Sequence, residues 1–180
     1  MKNENKWLMS GKQSKITPRI RKISLKFRGN DLEKIYQVLT WIEKNISSQE
    51  NHEEVLKIFA SKTADEVIIG KKDTGCHDTA LLSVTFLRAI GIPAKYLLGI
   101  DKEEPSKGGH CVVEAYVNRN WLLIDPSRFE INLIPNRSSF YRDNYLIKKG
   151  FDSWDCGVKT VKDWHNISNN LIKKIASRSK

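Results

Sequence analysis

Cysteine is scarce in this chain: Cys76, Cys111 and Cys156 are the only three among 180 residues. The number is odd, the three are widely separated, and no C-x-x-C pair occurs. A secreted domain held by disulfides would have an even and denser set, so the pattern excludes that class. We expect Cys111 and Cys156 to be reduced thiols, with Cys111 filling a strand position.

Long apolar runs are missing as well. No stretch approaches the ~20 apolar residues that a membrane-spanning helix needs. The beginning of the chain, MKNENKWLMSGKQSK, contains no apolar core of a signal peptide. We therefore expect a cytoplasmic protein without a membrane partner.

Positive charge is abundant but unevenly placed. Residues 1–28 hold nine Lys or Arg against one Glu, and residues 142–180 hold nine against four Asp, whereas residues 29–141 hold 13 against 16 acidic residues. Basic termini can bind nucleic acid or another acidic partner, although such segments are more often solvated arms. We predict a basic N-terminal arm over residues 1–28 and a single domain over residues 29–180.

The stretch from residue 73 to residue 100 has the most regular pattern. After a short polar turn, apolar residues recur at three- and four-residue steps, which predicts a helix that begins at Cys76 or His77. Gly91 and Pro93 are the usual stop signals of such a helix, and the residues after them predict a buried strand. The residues expected in the core are Leu81, Val84, Leu87 and Ile90.

Cys76 would then lie in the first turn of a core helix. The N–H groups of that turn have no intrahelical partner, and the peptide dipoles add positive charge there, so both favour a thiolate. The thiolate is the nucleophilic form of cysteine, and such positions lower the thiol pKa below its usual value of ~8.5. The competing interpretation is that Cys76 is a small buried apolar residue, as most free cysteines are.

The other segments complete a mixed pattern of helices and strands. Alternation over residues 17–28 predicts a short strand or a packed arm, and residues 140–151 are predicted to be irregular. Amphipathic helices are predicted from Asn30 or Asp31, through Val55 to Phe59, from a T-x-x-E capping box at Thr63, and from Thr160. Strands are predicted at residues 110–117, 121–125 and 131–134.

Two segments share a family pattern: GCHDTALLSVTFLRAIGIPAKYLLGI and GGHCVVEAYVNRNWLLIDPS. Together they resemble the core of the transglutaminase-like superfamily. Between residues 73 and 127 the shared features keep their order: Gly-Cys before a helix, Leu-Arg-Ala-x-Gly-Ile-Pro-Ala after it, a strand that begins at His, and Asp-Pro at the end of the next strand. The resemblance implies a papain-like α+β domain, with helices packed on an antiparallel β-sheet and the nucleophile at the N-terminus of a core helix.

The resemblance also implies a catalytic triad of Cys76, His110 and Asp125. Such a triad acts on carboxamide or peptide bonds through a thioester, which water or an amine then resolves. The implied activity is therefore acyl transfer or hydrolysis, including that of a cysteine protease or amidase. It needs no metal or cofactor, and the implied partner is a protein or peptide substrate.

Hairpin arithmetic alone does not bring the base and its carboxylate together. A turn centred on Arg119 sets Asp125 opposite Val113, three residues from His110. Strand curl or a bulge would have to close that gap, so the contact between His110 and Asp125 is an implication of the resemblance.

Three alternatives stay open. His77 or Asp78 could act as the base instead of His110. A zinc ion could be bound by Cys76, His77, His110 and Cys111, although adjacent ligand pairs rarely reach one metal. The domain could also be a non-catalytic scaffold whose basic termini contact nucleic acid or an acidic partner.

Overall fold

A computed structural model describes residues 4–178 of the chain. The helices are α1 (Pro18–Ser24), α2 (Asp31–Asn45), α3 (His52–Ile58), α4 (Ala64–Gly70), α5 (Cys76–Ala89), α6 (Ser139–Asp143) and α7 (Val161–Arg178). The strands are β1 (Ser47–Ser48), β2 (Lys72–Asp73), β3 (Ala94–Asp101), β4 (Gly109–Val117), β5 (Asn120–Asp125), β6 (Glu130–Asn132) and β7 (Asn144–Gly150). Within residues 4–178, no helix is both long and apolar enough to cross a membrane.

Five strands form one antiparallel sheet in the order β6-β5-β4-β3-β7, and β1 pairs in parallel with β2. Helix α5 packs on β3 and β4, and α1, α2 and α4 pack against α5. Successive strand side chains point to opposite faces, so a smaller cluster of Leu97, Val112, Leu123 and Phe140 forms separately from the main core. The predicted α+β fold with helices on an antiparallel sheet is confirmed.

Helix α5 lies at the centre of the core. Its predicted start at Cys76 is confirmed, and residues 77–88 are all buried. Leu81, Val84 and Leu87 are fully buried, as predicted, whereas Ile90 is half-buried at the end of the helix. The burial extends around the whole helix because the sheet covers one side of α5 and other helices pack against it as well.

Arg88, near the end of α5, ties the N-terminal segment to this core. Its buried guanidinium donates to the carbonyl oxygens of Trp7, Ala94 and Phe151 and to the hydroxyl of Ser14. Ser14 is itself fully buried. Part of the predicted arm therefore makes buried contacts, and its boundary at residue 28 stays a prediction.

Capping signals located several helices correctly. Thr63 forms the predicted capping box with Glu66. Asn30 is the N-cap, one of the two residues predicted for it, and forms a capping box with Glu33 as well. At the C-terminal helix, the hydroxyl of Thr160 accepts a hydrogen bond from the N–H of Asp163 at 3.2 Å, as expected of an N-cap.

Two element predictions were wrong, and a third element is present with different bounds. Residues 18–24 form a helix instead of a strand, because the Thr17 hydroxyl caps it and Pro18 occupies its first position. Residues 140–151, predicted to be irregular, form α6 and the edge strand β7. The strand predicted at residues 131–134 is shorter and begins at Glu130.

Candidate active site

Cys76 begins α5 directly after a tight turn. Gly75 has a φ of +124°, a conformation that favours glycine and lets the chain pass from β2 into the helix. Two carboxylates fix the turn: Asp73 Oδ1 accepts from the N–H of Gly75 at 3.0 Å, and Asp78 Oδ2 accepts from the N–H and hydroxyl of Thr74 at 2.8 and 2.9 Å. Cys76 is thereby held, half-buried, at the N-terminus of the core helix.

His110 and Asp125 are in direct contact at the ends of neighbouring strands. Nε2 of His110 lies 2.6 Å from Oδ2 of Asp125, and because a carboxylate can only accept, Nε2 carries the proton. The other oxygen, Oδ1, accepts from the N–H and the hydroxyl of Ser127 at 3.2 and 2.8 Å. The carboxylate is thus fixed on both sides, and Nδ1 is the ring nitrogen left for a third group.

The pairing register of the β4–β5 hairpin explains this contact. It also corrects the register that was predicted from the sequence. The turn has two residues, Asn118 and Arg119, both with positive φ. The ladder pairs Val113 with Ile124, so its continuation by one residue puts Asp125 across from Val112. Strand residues two apart share a face, so His110 is a diagonal neighbour of Asp125 on the same face. The predicted register was one residue off, which would have put the two side chains on opposite faces. No bulge is needed.

The thiol of Cys76 is hydrogen-bonded to two groups, the thiol of Cys111 and the ring of His110. These contacts, first with Cys111 and then with His110, lower the pKa of Cys76 well below its usual value although burial opposes them. Burial also acts to lower the pKa of His110, but its hydrogen bonds to Asp125 and Cys76 outweigh burial and raise that pKa to about 9.

The contact with His110 also lowers the pKa of Asp125. Burial acts to raise it, but the hydrogen bond to His110 and the positive charge of that ring prevail. The three shifts are those of a thiolate beside an imidazolium that a carboxylate stabilises.

Two pockets meet at Cys76. The larger is an apolar cleft of about 290 Å³ lined by Val55, Leu56, Phe59, Thr74, Cys76, His77, Lys107, Gly108, Gly109, Cys111, Val161, Trp164 and His165. The other, of about 260 Å³ and more polar, is lined by Ile42, Glu43, Ile46, Ser48, Asp73, Gly75, Cys76, Thr79, Pro126, Ser127 and Phe129. The cleft and the polar pocket together give the thiol two open approaches.

Residues 21–126, more than half of the chain, match the family model of the transglutaminase-like superfamily. The chain belongs to this superfamily. The predicted resemblance is confirmed, and the matched range contains all three residues of the implied triad.

Solved structures show the same transglutaminase-like fold. A candidate cysteine protease from Cytophaga hutchinsonii superposes with a TM-score of 0.65 and 22% identity, over 85% of this chain and 48% of that one. The periplasmic domain of TgpA from Pseudomonas aeruginosa gives 0.52 and 16%, over 79% and 52%, and Legionella pneumophila LapG gives 0.51 and 15%, over 85% and 96%. The chain spans about half the length of the first two structures. No curated protein matches it.

All three residues implied by the superfamily resemblance come together in one hydrogen-bonded chain from carboxylate to ring to thiol. Cys111, predicted only to fill a strand position, is a fourth member because its thiol contacts that of Cys76. The sequence contains a signal for this contact, because successive strand side chains point to opposite faces. Cys111 therefore points to the face opposite that of His110, and α5 packs on the Cys111 face.

Trp164 of the last helix is the other residue that sequence reasoning did not connect with the site. A Cβ added at Gly109 would lie 2.1 Å from Cη2 of Trp164 and 2.6 Å from the carbonyl oxygen of Gly99, so only glycine fits there. The indole therefore packs on the residue directly before His110 and forms a wall of the cleft. Periodicity put Trp164 on the apolar face of its helix but could not say which surface that face covers.

His77 and Asp78 serve the structure of the turn rather than the thiol. Nε2 of His77 accepts from the N–H of Ala60 at 3.0 Å and lies 2.9 Å from the hydroxyl of Thr74. Its ring packs on Phe59, with 4.2 Å between ring centroids. The alternative in which either residue acts as the base finds no support in this geometry.

The alternative zinc site requires His77 as a ligand, and its Nε2 is already bonded to a backbone N–H. Among residues 4–178, no group of three or more His, Cys, Asp or Glu side chains is placed to hold a metal ion.

We expect His77→Ala to destabilise the fold without removing the reactivity of the thiol. The substitution leaves the buried N–H of Ala60 without its acceptor, which costs about 1–3 kcal/mol of unfolding free energy. Urea unfolding measures the loss, and the rate of Cys76 alkylation should stay within about threefold of wild type. His52, exposed at the start of α3, provides the control, because His52→Ala should change neither quantity. A stable His77→Ala protein with an unreactive thiol would instead make His77 part of the chemistry.

Proposed function

We propose that this protein is a cysteine-dependent hydrolase or acyltransferase that acts on carboxamide or peptide bonds through Cys76, His110 and Asp125. The observation that supports it best is the hydrogen-bonded chain from Asp125 through His110 to the thiol of Cys76, a half-buried residue at a helix N-terminus. Protein or peptide substrates and a cytoplasmic location stay predictions.

The reaction begins with attack of the Cys76 thiolate on the substrate carbonyl carbon. The first-turn N–H of Cys76 has no intrahelical acceptor, so it can donate to the oxygen on which negative charge develops. The His110 imidazolium gives its proton to the departing amine or ammonia, which leaves a thioester on Cys76. Asp125 holds the ring in place and stabilises its charged form.

The second half of the reaction decides between the two outcomes. Neutral His110 accepts a proton from water, which gives hydrolysis, or from an amine, which gives acyl transfer. The apolar cleft suits the acyl side of a peptide substrate. The polar pocket, with the buried carboxyl group of Asp73 on its wall, suits the departing or incoming amine.

Alkylation of the three thiols with iodoacetamide near neutral pH tests this proposal. We expect Cys76 to react at least ~10-fold faster than the other two, because its pKa is lowered and it is partly exposed. Burial raises the pKa of Cys156 to about 12, and contact with the Cys76 thiolate raises the pKa of Cys111. Peptide mass spectrometry over a time course assigns each rate. Equally slow alkylation of all three would contradict an activated nucleophile.

Equally slow alkylation of all three thiols would favour a non-catalytic binding domain. One basic surface pocket would then be its candidate binding site. A pocket of about 320 Å³ between α1, α2 and the end of α4 is lined by Arg19, Lys22, Ile23, Lys26, Trp41, Asn45, Ile68 and Lys71. Its four cations and indole could hold a nucleic acid or another acidic partner.

A further inference from the structure

The contact between Cys76 and Cys111 lowers the pKa of Cys76, but Cys111 takes no part in the bond-making steps of the proposed reaction. Cys111 lies in β4 with 3% of its surface exposed, and its thiol is hydrogen-bonded to that of Cys76. Both residues line the apolar cleft. A half-buried cysteine and a buried cysteine thus line one opening.

Tyr96 completes the surroundings of the buried thiol. It is fully buried in β3, and the pairing of Leu98 with Cys111 makes it a diagonal neighbour of Cys111 on the same face. Burial, together with the neighbouring Cys111 thiol, raises the pKa of Tyr96 well above its usual value, and its hydroxyl has no hydrogen-bond partner among residues 4–178.

We propose that Cys76 and Cys111 form a two-thiol oxidation site, in which a peroxide oxidises Cys76 and Cys111 then closes a reversible disulfide with it. In the first step the Cys76 thiolate attacks one oxygen of the peroxide, forms sulfenic acid, and releases hydroxide or alkoxide. In the second step the Cys111 sulfur attacks the sulfenic sulfur, and the hydroxyl leaves with the Cys111 proton as water. The peroxide is reduced, and the two thiols together supply the two electrons.

The arrangement suits each step. The cleft admits a small oxidant to Cys76, whereas Cys111 needs no access to solvent because its target is the neighbouring sulfur. Redox-sensitive cysteines are typically thiolate-like, accessible and next to a resolving thiol. A disulfide needs the two sulfurs to close to about 2.05 Å, and the two thiols already interact with each other.

The consequence would be protection of the nucleophile. A sulfenic acid without a neighbouring thiol is oxidised further to sulfinic acid, which ordinary reductants do not reverse. The disulfide stops this oxidation and blocks Cys76 until a thiol reductant restores it. Loss of enzymatic activity on oxidation rests on the proposed function, but formation of the disulfide rests only on the contact between the two sulfurs.

Hydrogen peroxide treatment of the full chain tests the proposal without any amide substrate. After free thiols are blocked, trypsin releases the three cysteines in separate peptides, residues 73–88, 108–119 and 150–159. We expect non-reducing mass spectrometry to show the first two joined, and a reductant to restore alkylation of Cys76. The control Cys156→Ser should behave as wild type.

Variants at Cys111 separate the resolving role from simple oxidation of Cys76. In Cys111→Ser and Cys111→Ala, sulfenic acid trapped by dimedone should replace the disulfide, and the fraction of Cys76 that a reductant recovers should fall by about tenfold. Two variants are used because the hydroxyl and the methyl group perturb the core differently. Absence of the 73–88 to 108–119 disulfide in the oxidised wild type would overturn the proposal whatever the variants do. Fast alkylation of Cys76 in that same protein would leave the proposed enzyme function standing.

Discussion

Replacing Cys76 with alanine should lower the rate on any working amide substrate by at least ~10⁴-fold, because the thiolate is the group that forms the covalent intermediate. The same change should alter the free energy of unfolding by only about 1 kcal/mol. Cys76 is partly exposed in the first turn of α5, so its sulfur contributes little packing, and alanine is a good helix former at that position. The measurement is a steady-state rate together with a urea unfolding curve.

Cys156→Ala is the matched control for this experiment. Cys156 is buried, with 5% of its surface exposed, and does not line the pockets at Cys76. We expect its loss to cost stability of about 1 kcal/mol, from the small cavity left behind, while activity stays near that of wild type. If Cys76→Ala kept its activity and Cys111→Ala lost it, the nucleophile would be Cys111 instead.

The parts of the fold that the sequence predicted well depend on signals a few residues long. Helix α2 begins at a capping box formed by Asn30 and Glu33, and α5 begins at the predicted cysteine and ends before Gly91. Each cap joins groups within one helical turn, so the pattern that produces it is visible in a short window. At Thr17 the same rule was available but was outweighed by an alternating apolar pattern, and the cap decided the structure.

The parts that could not be predicted depend on contacts between distant segments or on the pairing register of two strands, which a shift of one residue changes. Arg119 adopts a positive φ in the two-residue turn of the hairpin, a conformation in which arginine is uncommon, so composition alone favoured a longer turn. That one residue decided whether Asp125 and His110 share a face. The contact of Trp164 with Gly109 joins positions 55 residues apart, beyond what any helical pattern records.

Asp125→Asn should reduce the rate about 10- to 100-fold, a smaller loss than a serine-based triad would show. The carboxylate accepts from Nε2 of His110 on one oxygen and from the N–H and hydroxyl of Ser127 on the other. An amide must turn its NH₂ group toward one of these partners. If the NH₂ group faces Ser127, it meets the backbone N–H of that residue, and two donors oppose each other. If the NH₂ group faces His110, Nε2 must accept, so the ring proton moves to Nδ1. Nδ1 is then unable to accept from the thiol. The loss is limited because the thiol is already acidic and places a lighter demand on the base.

The pH–rate profile distinguishes this orienting role from a purely structural one. In the wild type, the thiolate–imidazolium pair exists above the lowered pKa of Cys76 and below the His110 pKa of about 9. Burial lowers the pKa of His110, and in Asp125→Asn the carboxylate no longer opposes this effect. The pKa of His110 therefore falls, and the basic limb of the pH–rate profile moves to lower pH. Cys76 loses part of its positive neighbour, its pKa rises, and the acidic limb moves to higher pH. Glu130, exposed and paired with Asp125 across β5 and β6, is the control: Glu130→Gln removes a nearby charge without touching the ring and should leave both limbs in place. If the Asp125→Asn profile instead overlaid that of the wild type, Asp125 would only end its strand, and His110 would be oriented by the protein around it.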